Sequence, residues 1–282
     1  EEGEMLFRLS SASPAVVRPL HVDAITMEGG RFVPFLALEW LEGEPFDVII
    51  RRRNKQGKSP LGIRSLVPFL QPIAHALAQA HSLATVDGKM VIIHRDINPR
   101  NIMLSEDARG ELSAKVLDFG IGRIGKRQHT QTGECIGTPG YMSPEQMNGD
   151  AADVGTGSDV YSLGILAFEM LCLEHPSTAD TAPRSDVPRL LWDVIATATH
   201  PRISQRYNDA QALRTAWGNC IAFAYEQSVA QGVPTLRETT HLRPNVEVSS
   251  SNGVVAFQQE EQETQPTAVQ NTKITARPLA EE

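Results

Sequence analysis

The stretch His94-Arg95-Asp96-Ile97-Asn98-Pro99-Arg100-Asn101 decides how the rest of the chain is read. It follows an apolar run, Met90 to Ile93, and leads into another, Ile102 to Leu104. Both runs read as short strands, so the octet is a polar loop between them. A histidine, two arginines, an aspartate and two asparagines in eight residues are costly to bury without partners. A solvated turn has no need of that set. A loop that positions reacting groups does.

The composition around this loop narrows the classes. The 282 residues are 41% hydrophobic, enough for one large domain or two small ones with a packed core. Net charge is −8, and Arg51-Arg52-Arg53 is too short and isolated for a nucleic-acid footprint. Cys135, Cys172 and Cys220 are scattered and form no CxxC or Cys/His cluster. They argue against a disulfide framework or zinc site and suit a reducing, cytoplasmic compartment. The sequence shows no signal peptide and no apolar run long enough to span a membrane. Residue 1 is Glu, so the chain is expected to begin partway through a longer product, which leaves a membrane anchor elsewhere open.

The periodicity gives the order of elements. Residues 1–9 read as the end of an amphipathic helix with Met5, Leu6 and Leu9 on one face. Val16 to Met27 and Arg31 to Leu41 read as strands around the hairpin signal Glu28-Gly29-Gly30. Glu42-Gly43-Glu44-Pro45 is a breaker, followed by a short helix over about Phe46 to Arg53. Ile63 to Leu83 carries Leu66, Phe69, Leu70, Ile73 and Leu77 at helical spacing, with Pro68 and Pro72 expected to bend it or delay its start. Ala114 to Leu117 is a strand, and Asp118 to Glu145 is aperiodic. Ser158 to Leu173 is a buried apolar helix, and two more follow over Val187 to Thr199 and Asn208 to about Ala222. From about Tyr225 the composition turns to Gln, Glu, Thr, Ser and Pro, which reads as a disordered tail.

Working outward from the octet, further motifs fall in a fixed order. Asp118-Phe119-Gly120 begins 17 residues after Asn101, behind the strand Lys115-Val116-Leu117. Gly137-Thr138-Pro139-Gly140-Tyr141-Met142-Ser143-Pro144-Glu145 comes next, and Ser158-Asp159-Val160-Tyr161-Ser162-Leu163-Gly164 opens the buried helix. Arg206 sits just before the last helix. In this order they resemble the Hanks-type Ser/Thr protein kinases found in bacteria, over roughly residues 1–222 and most specifically between 94 and 164.

That resemblance implies an α+β, two-lobed kinase-like fold with a mainly helical C-lobe and an incomplete N-lobe sheet. Its parts are an N-lobe remnant and hinge over 1–43, a C-lobe over 44–223 and a tail or linker over 224–282. The implied activity is ATP-dependent phosphoryl transfer to Ser/Thr hydroxyls of proteins, in signalling, with ATP and Mg2+ as cofactors and Mn2+ suited to the same ligands. Such transfer needs positioning and charge neutralisation more than covalent chemistry. Asp96 accepts the proton of the substrate hydroxyl. Asn101 and Asp118 offer the hard oxygens that magnesium requires. Thr138 hydrogen-bonds Asp96, and the Gly-Thr-Pro-x-Tyr form is that of a Ser/Thr kinase.

By the same resemblance His94 packs under Phe119, and Arg95 faces a phosphate on Thr130 or Thr132 of the activation segment. Asp159 caps the backbone near Arg95. Glu145 and Arg206 form a buried pair, and removing one partner should cost about 3–5 kcal/mol. ATP's base lies against the hinge Glu39-Trp40-Leu41, with Leu38 as gatekeeper, the Leu41 backbone on adenine and Met103 beneath the ring. Partners are ATP and protein substrates, with a homodimer compatible with autophosphorylation, and neither nucleic acid nor a membrane segment in this chain.

Three features depart from the pattern. The Gly-rich loop and strand lysine that hold the phosphates precede residue 1 in the family. Their glutamate partner falls on Glu2 by the apolar pattern of the first helix, or on Glu4 by counting back from Pro14. Asn98 stands where a lysine neutralises the γ-phosphate, and Arg100 can bring a guanidinium there. Between Leu173 and Val187 there is only a short polar stretch in place of a substrate-docking helix. Two competing classes are a pseudokinase scaffold and a small-molecule phosphotransferase. A scaffold has no chemical use for Asp96, Asn101 and Asp118 together, and a small-molecule enzyme has none for the peptide-holding Gly137 to Glu145 segment.

Overall fold

The computed structural model describes residues 2–27, 29–58, 63–85, 88–106, 112–119, 137–150, 152–176 and 187–230. Helix α1, Glu2–Ala12, turns Leu6 and Leu9 into the core. Strands β1, Pro19–Thr26, and β2, Phe32–Leu38, pair antiparallel, with Val22 opposite Leu36 and Thr26 opposite Phe32. Gly29 and Gly30 close the turn at φ of 90° and 76°, a region costly for other residues. Helix and hairpin touch closely, since a Cβ on Gly3 would lie 2.4 Å from Val22 Cγ2.

The chain then enters a three-stranded sheet. Strand β3, Gly43–Pro45, is short and falls where a breaker is expected from the sequence. It pairs with β6, Ile102–Glu106, which pairs with β7, Leu112–Val116. A parallel bridge joins Val16 to Val116, with Val116 N–H donating to Ala15 O at 2.7 Å. The segment after α1 is thereby anchored beside the strand that leads to Asp118.

Helices make the rest. After α2, Phe46–Lys55, comes α3, Ile63–His81, which packs on β7 and on two later helices. Pro68 and Pro72 both lie inside α3, so of the two expected effects, a bend or a delayed start, the start is not delayed. A proline in a helix costs about 3 kcal/mol. Burying a Leu or Ile returns about 1.5–3 kcal/mol each, and Leu66, Leu70, Ile73 and Leu77 are all fully buried here. Strands β4, Leu83–Thr85, and β5, Gly88–Met90, form a small hairpin. The strand expected over Met90 to Ile93 stops at Met90, because Ile92 N–H bonds instead to Ala80 O at the end of α3.

Helix α4, Pro144–Asn148, leads to α5, Thr156–Cys172, whose buried positions run all the way round it. Gly164 on α5 allows close approach to α6, Arg189–Ala198: a Cβ there would lie 2.9 Å from Ala198 Cβ and 2.7 Å from Thr199 Cγ2. The last helix, α7, is Ala210–Ala230 and passes the tail boundary expected at 224. Glu226, Gln227 and Ala230 are good helix formers, and the polar composition that suggests a tail also suits a helix. Residues 231–282 of the expected tail lie outside the described residues. No described helix is long and apolar enough to cross a membrane.

Candidate active site

Backbone geometry first fixes the loop. Arg95 has φ 69° and Asp118 φ 47°, left-handed values that non-glycine residues seldom adopt and that surrounding contacts must hold. Asp159, wholly buried on α5, provides those contacts at Arg95. Its Oδ1 accepts Arg95 N–H and its Oδ2 accepts His94 N–H, each at 2.8 Å. Burial alone would raise the Asp159 pKa. The hydrogen bonds from the His81 ring and the His94 N–H outweigh burial and hold the carboxyl below its ordinary range.

His81 is itself pinned. Its Nε2 lies 2.9 Å from Asp159 Oδ2, and its Nδ1 accepts Ala210 N–H at 3.3 Å, so the ring proton belongs on Nε2. His94 Nε2 donates to Leu117 O at 2.8 Å, and its ring centroid lies 4.8 Å from that of Phe119. Full burial lowers the His94 pKa and keeps the ring neutral. The ring therefore joins the loop to the strand end.

Asp96 sits at the centre. Its Oδ1 accepts Thr138 N–H at 2.9 Å, Thr138 Oγ1–H at 2.8 Å and Asn98 Nδ2–H at 3.0 Å. Its Oδ2 accepts only Asn101 Nδ2–H, at 3.1 Å, among the described residues. One oxygen is saturated, and the other retains a lone pair for a hydroxyl proton. Asn101 also donates to Asp96 O at 2.8 Å. Both donations engage the amide nitrogen, so the amide oxygen is not what meets Asp96. Leu117 N–H donates to Asn101 O at 2.8 Å, which brings the exposed Asp118 alongside. A carboxylate and an amide oxygen at adjoining chain ends fit magnesium, which keeps several of its waters. No group of three or more His, Cys, Asp or Glu poised for a metal occurs among the described residues.

The hinge converges from the other side. Leu38 ends β2 and packs on the core, and Leu41 is half-buried. Glu39 pairs with Lys115, and its Oε1 also accepts Arg18 N–H at 2.9 Å. Burial pushes the Glu39 pKa up, but Lys115 and the Arg18 N–H prevail and keep it low. Lys115 stands opposite Met103 in the β6–β7 register, so Met103, Lys115 and Glu39 gather under the hinge. Trp40 is exposed.

Matched against known families, residues 4–217 fit the model described as the protein kinase domain. The chain belongs to the protein kinase family. It is 32% identical over 227 residues to the serine/threonine-protein kinase PknL of Mycobacterium tuberculosis, covering 73% of this chain and 52% of PknL. It is 34% identical over 194 residues to serine/threonine-protein kinase A of Synechocystis, covering 67% of this chain and 34% of that protein. The chain thus spans about half the length of these curated relatives or less. The crystal structure of a double mutant of the M. tuberculosis PknI kinase domain superposes with a TM-score of 0.52 at 21% identity, covering 78% of this chain and 79% of that one. At that identity the likeness concerns the fold.

The supports of this kinase fold are equally explicit. Arg206 meets Glu145 through two bonds, Nη1 to Oε1 at 2.8 Å and Nη2 to Oε2 at 2.9 Å. Its other donors reach His200 O, Gly157 O and Pro201 O, which satisfies all five N–H groups. The guanidinium stacks 4.9 Å over the Tyr161 ring. Burial would raise Glu145, yet Arg206 and Ser158 bring its pKa down to about 2.

Some expected sites fall elsewhere. Thr130 and Thr132 lie outside the described residues. Glu2 opens α1, but its side chain is likewise outside what is described, while Glu4 is exposed and pairs with Arg8 at 2.8 Å. Arg100 is 75% exposed, with Nε 3.9 Å from Asp47 on α2. Arg95 has a buried Nε with no partner among the described residues.

Other contacts were not foreseen. Gln146 donates to Arg95 O at 2.8 Å and caps α4 with Ser143, and the Ser-x-x-Gln spacing could have signalled that cap. The Tyr141 hydroxyl donates to Glu169, and His175 Nε2 lies 2.9 Å from Gly140 O. No sequence pattern marks either.

Proposed function

We propose that this chain carries an ATP-dependent protein serine/threonine kinase activity, in signalling. The observation that supports it most is the asymmetry of Asp96: Oδ1 is held by three donors, and Oδ2 is left open beside Asn101. A Ser or Thr hydroxyl gives its proton to Oδ2, and its oxygen attacks the γ-phosphorus in line. The bond from that phosphorus to the bridging oxygen of ADP breaks, and ADP leaves. Asp118 and Asn101 would hold Mg2+, which neutralises charge on the phosphates, and Mn2+ suits the same oxygens. Adenine lies along Leu38, Glu39 and the Leu41 backbone, over Met103. The exposed Arg100 brings positive charge to the rim, where the lysine of the family is absent.

Arg95, whose buried Nε has no partner among the described residues, receives the phosphate of Thr130 or Thr132. A homodimer serves phosphorylation between copies. Protein substrates and a cytoplasmic site complete the reading, the latter supported by scattered cysteines. A pseudokinase would not need the Asp96, Asn101 and Asp118 set. The test is phosphate transfer from labelled ATP by the full gene product beside Asp96→Asn. A loss of about 100-fold to 10,000-fold is expected in the variant. Equal incorporation by both proteins would sink the role given to Asp96.

A further inference from the structure

Asn98 is the loop residue whose place this chemistry leaves unexplained. It is 1% exposed. Its Nδ2 lies 3.0 Å from Asp96 Oδ1, 3.1 Å from Asp96 O and 3.0 Å from Thr138 Oγ1. Its Oδ1 accepts Arg100 N–H at 2.9 Å and so caps the 3-10 turn Pro99–Asn101. Two amide protons already serve three acceptors, and the amide oxygen is engaged as well. Nothing is left over to meet a phosphate.

We infer that Asn98 is a positioning residue for the reaction proposed above, and not a reduced substitute for a phosphate-binding lysine. The hydrogen bonds form a closed ring. Thr138 gives its hydroxyl proton to Asp96 Oδ1 at 2.8 Å, so the same oxygen is free to accept, and Asn98 is the donor it meets. Asn98 also donates directly to Asp96 Oδ1. On its other side the Asn98 amide oxygen sets the turn that carries Asn101, whose Nδ2 fixes Asp96 Oδ2. One neutral side chain thus ties the base, the end of the activation segment and the cation-facing amide into one unit. A lysine here has donors but no acceptor. Arg100 N–H would then lose its partner, and an unmade buried bond is costly.

The inference rests on the kinase reading, and the test separates the two. Using the full gene product, kcat and KM for ATP are measured for wild type, Asn98→Lys, Asn98→Ala and Asn98→Ser. Asn98→Lys is expected to lower kcat about 10-fold to 100-fold, with KM for ATP within about 3-fold, as loss of alignment does. Asn98→Ser, which keeps a short donor, recovers part of the loss. In Asn98→Ala combined with Thr138→Val, the loss exceeds the larger single loss by no more than about 3-fold, because both residues act through one ring.

A kcat in Asn98→Lys equal to or above wild type, or fully additive losses in the double variant, overturns the positioning role. If Asn98→Lys does not fold, the Ser and double variants decide. A readout free of turnover is hydrogen exchange at the Thr138 amide, expected to speed up about 10-fold or more in Asn98→Ala. Unchanged exchange overturns the ring. A wild type that transfers no more phosphate than Asp96→Asn overturns the kinase reading, and Thr138 exchange then still judges the ring.

Discussion

The hairpin β1–β2 and the base of the helical lobe are built on opposite terms. In the hairpin, Val22, Ile25, Phe32 and Phe35 are all exposed, and these apolar side chains point from both faces of a two-stranded sheet. Such a sheet is marginal on its own. At the base, Arg206 and Glu145 are buried with all their hydrogen-bonding groups matched, and the same lobe holds Leu163, Leu166 and Trp217, which see no solvent. The contrast teaches where this chain keeps its stability. The site's Asp96 and Asn101 hang from the matched region through Asp159, and the hinge hangs from the hairpin.

Arg206→Ala should strike hardest at that contrast. It strands a buried carboxylate, and urea unfolding should show about 3–5 kcal/mol lost. A loss under about 1 kcal/mol would mean the base is not the anchor. Acid should act on the same pair. The folded Glu145 pKa is about 2, below the ordinary 4.5, so its stabilisation is complete above pH 4.5 or so and fades as pH falls toward 2. That stabilisation amounts to about 3 kcal/mol. Between pH 6 and pH 2, wild type should lose more stability than Glu145→Gln by roughly that much, and parallel curves would remove the assignment.

Hydrogen exchange should then separate the regions directly. The amides of Val22 and Leu36 should exchange faster than those of Leu163 and Leu166 by about 100-fold or more. The gentlest test is Phe32→Ser at the hairpin, expected to change stability by no more than about 0.5 kcal/mol, as at other open surface positions. A cost above about 2 kcal/mol would show that Phe32 is covered in solution.

Much of the lower region was legible through the family resemblance that the ordered motifs carry. Asp96, Asn101, Asp118, Thr138, Asp159, Glu145 and Arg206 are specified by charge and hydrogen-bond chemistry that tolerates few other side chains. The spacing of the motifs therefore carried the fold. What escaped depends on tertiary partners. Pro68 and Pro72 look like breakers until the burial of Leu66, Leu70, Ile73 and Leu77 is counted against them. The run Met90 to Ile93 looks like a strand until Ala80 O claims Ile92 N–H. Gln146 meets a backbone carbonyl 51 positions away, and a carbonyl leaves no trace in sequence. At Asn98 the letters showed a missing charge, whereas the coordinates show an amide already engaged on both sides.

The relay through His81 bears on how the protein is made. Ala210 N–H holds His81, His81 holds Asp159, and Asp159 holds the strained Arg95 of the loop. A ribosome releases these residues in the order 81, 95, 159, 210. Arg95 thus leaves the exit tunnel long before Ala210, at the start of α7, can clamp the ring of His81. During vectorial synthesis the His94 to Asn101 loop is an early product of translation and a late product of assembly.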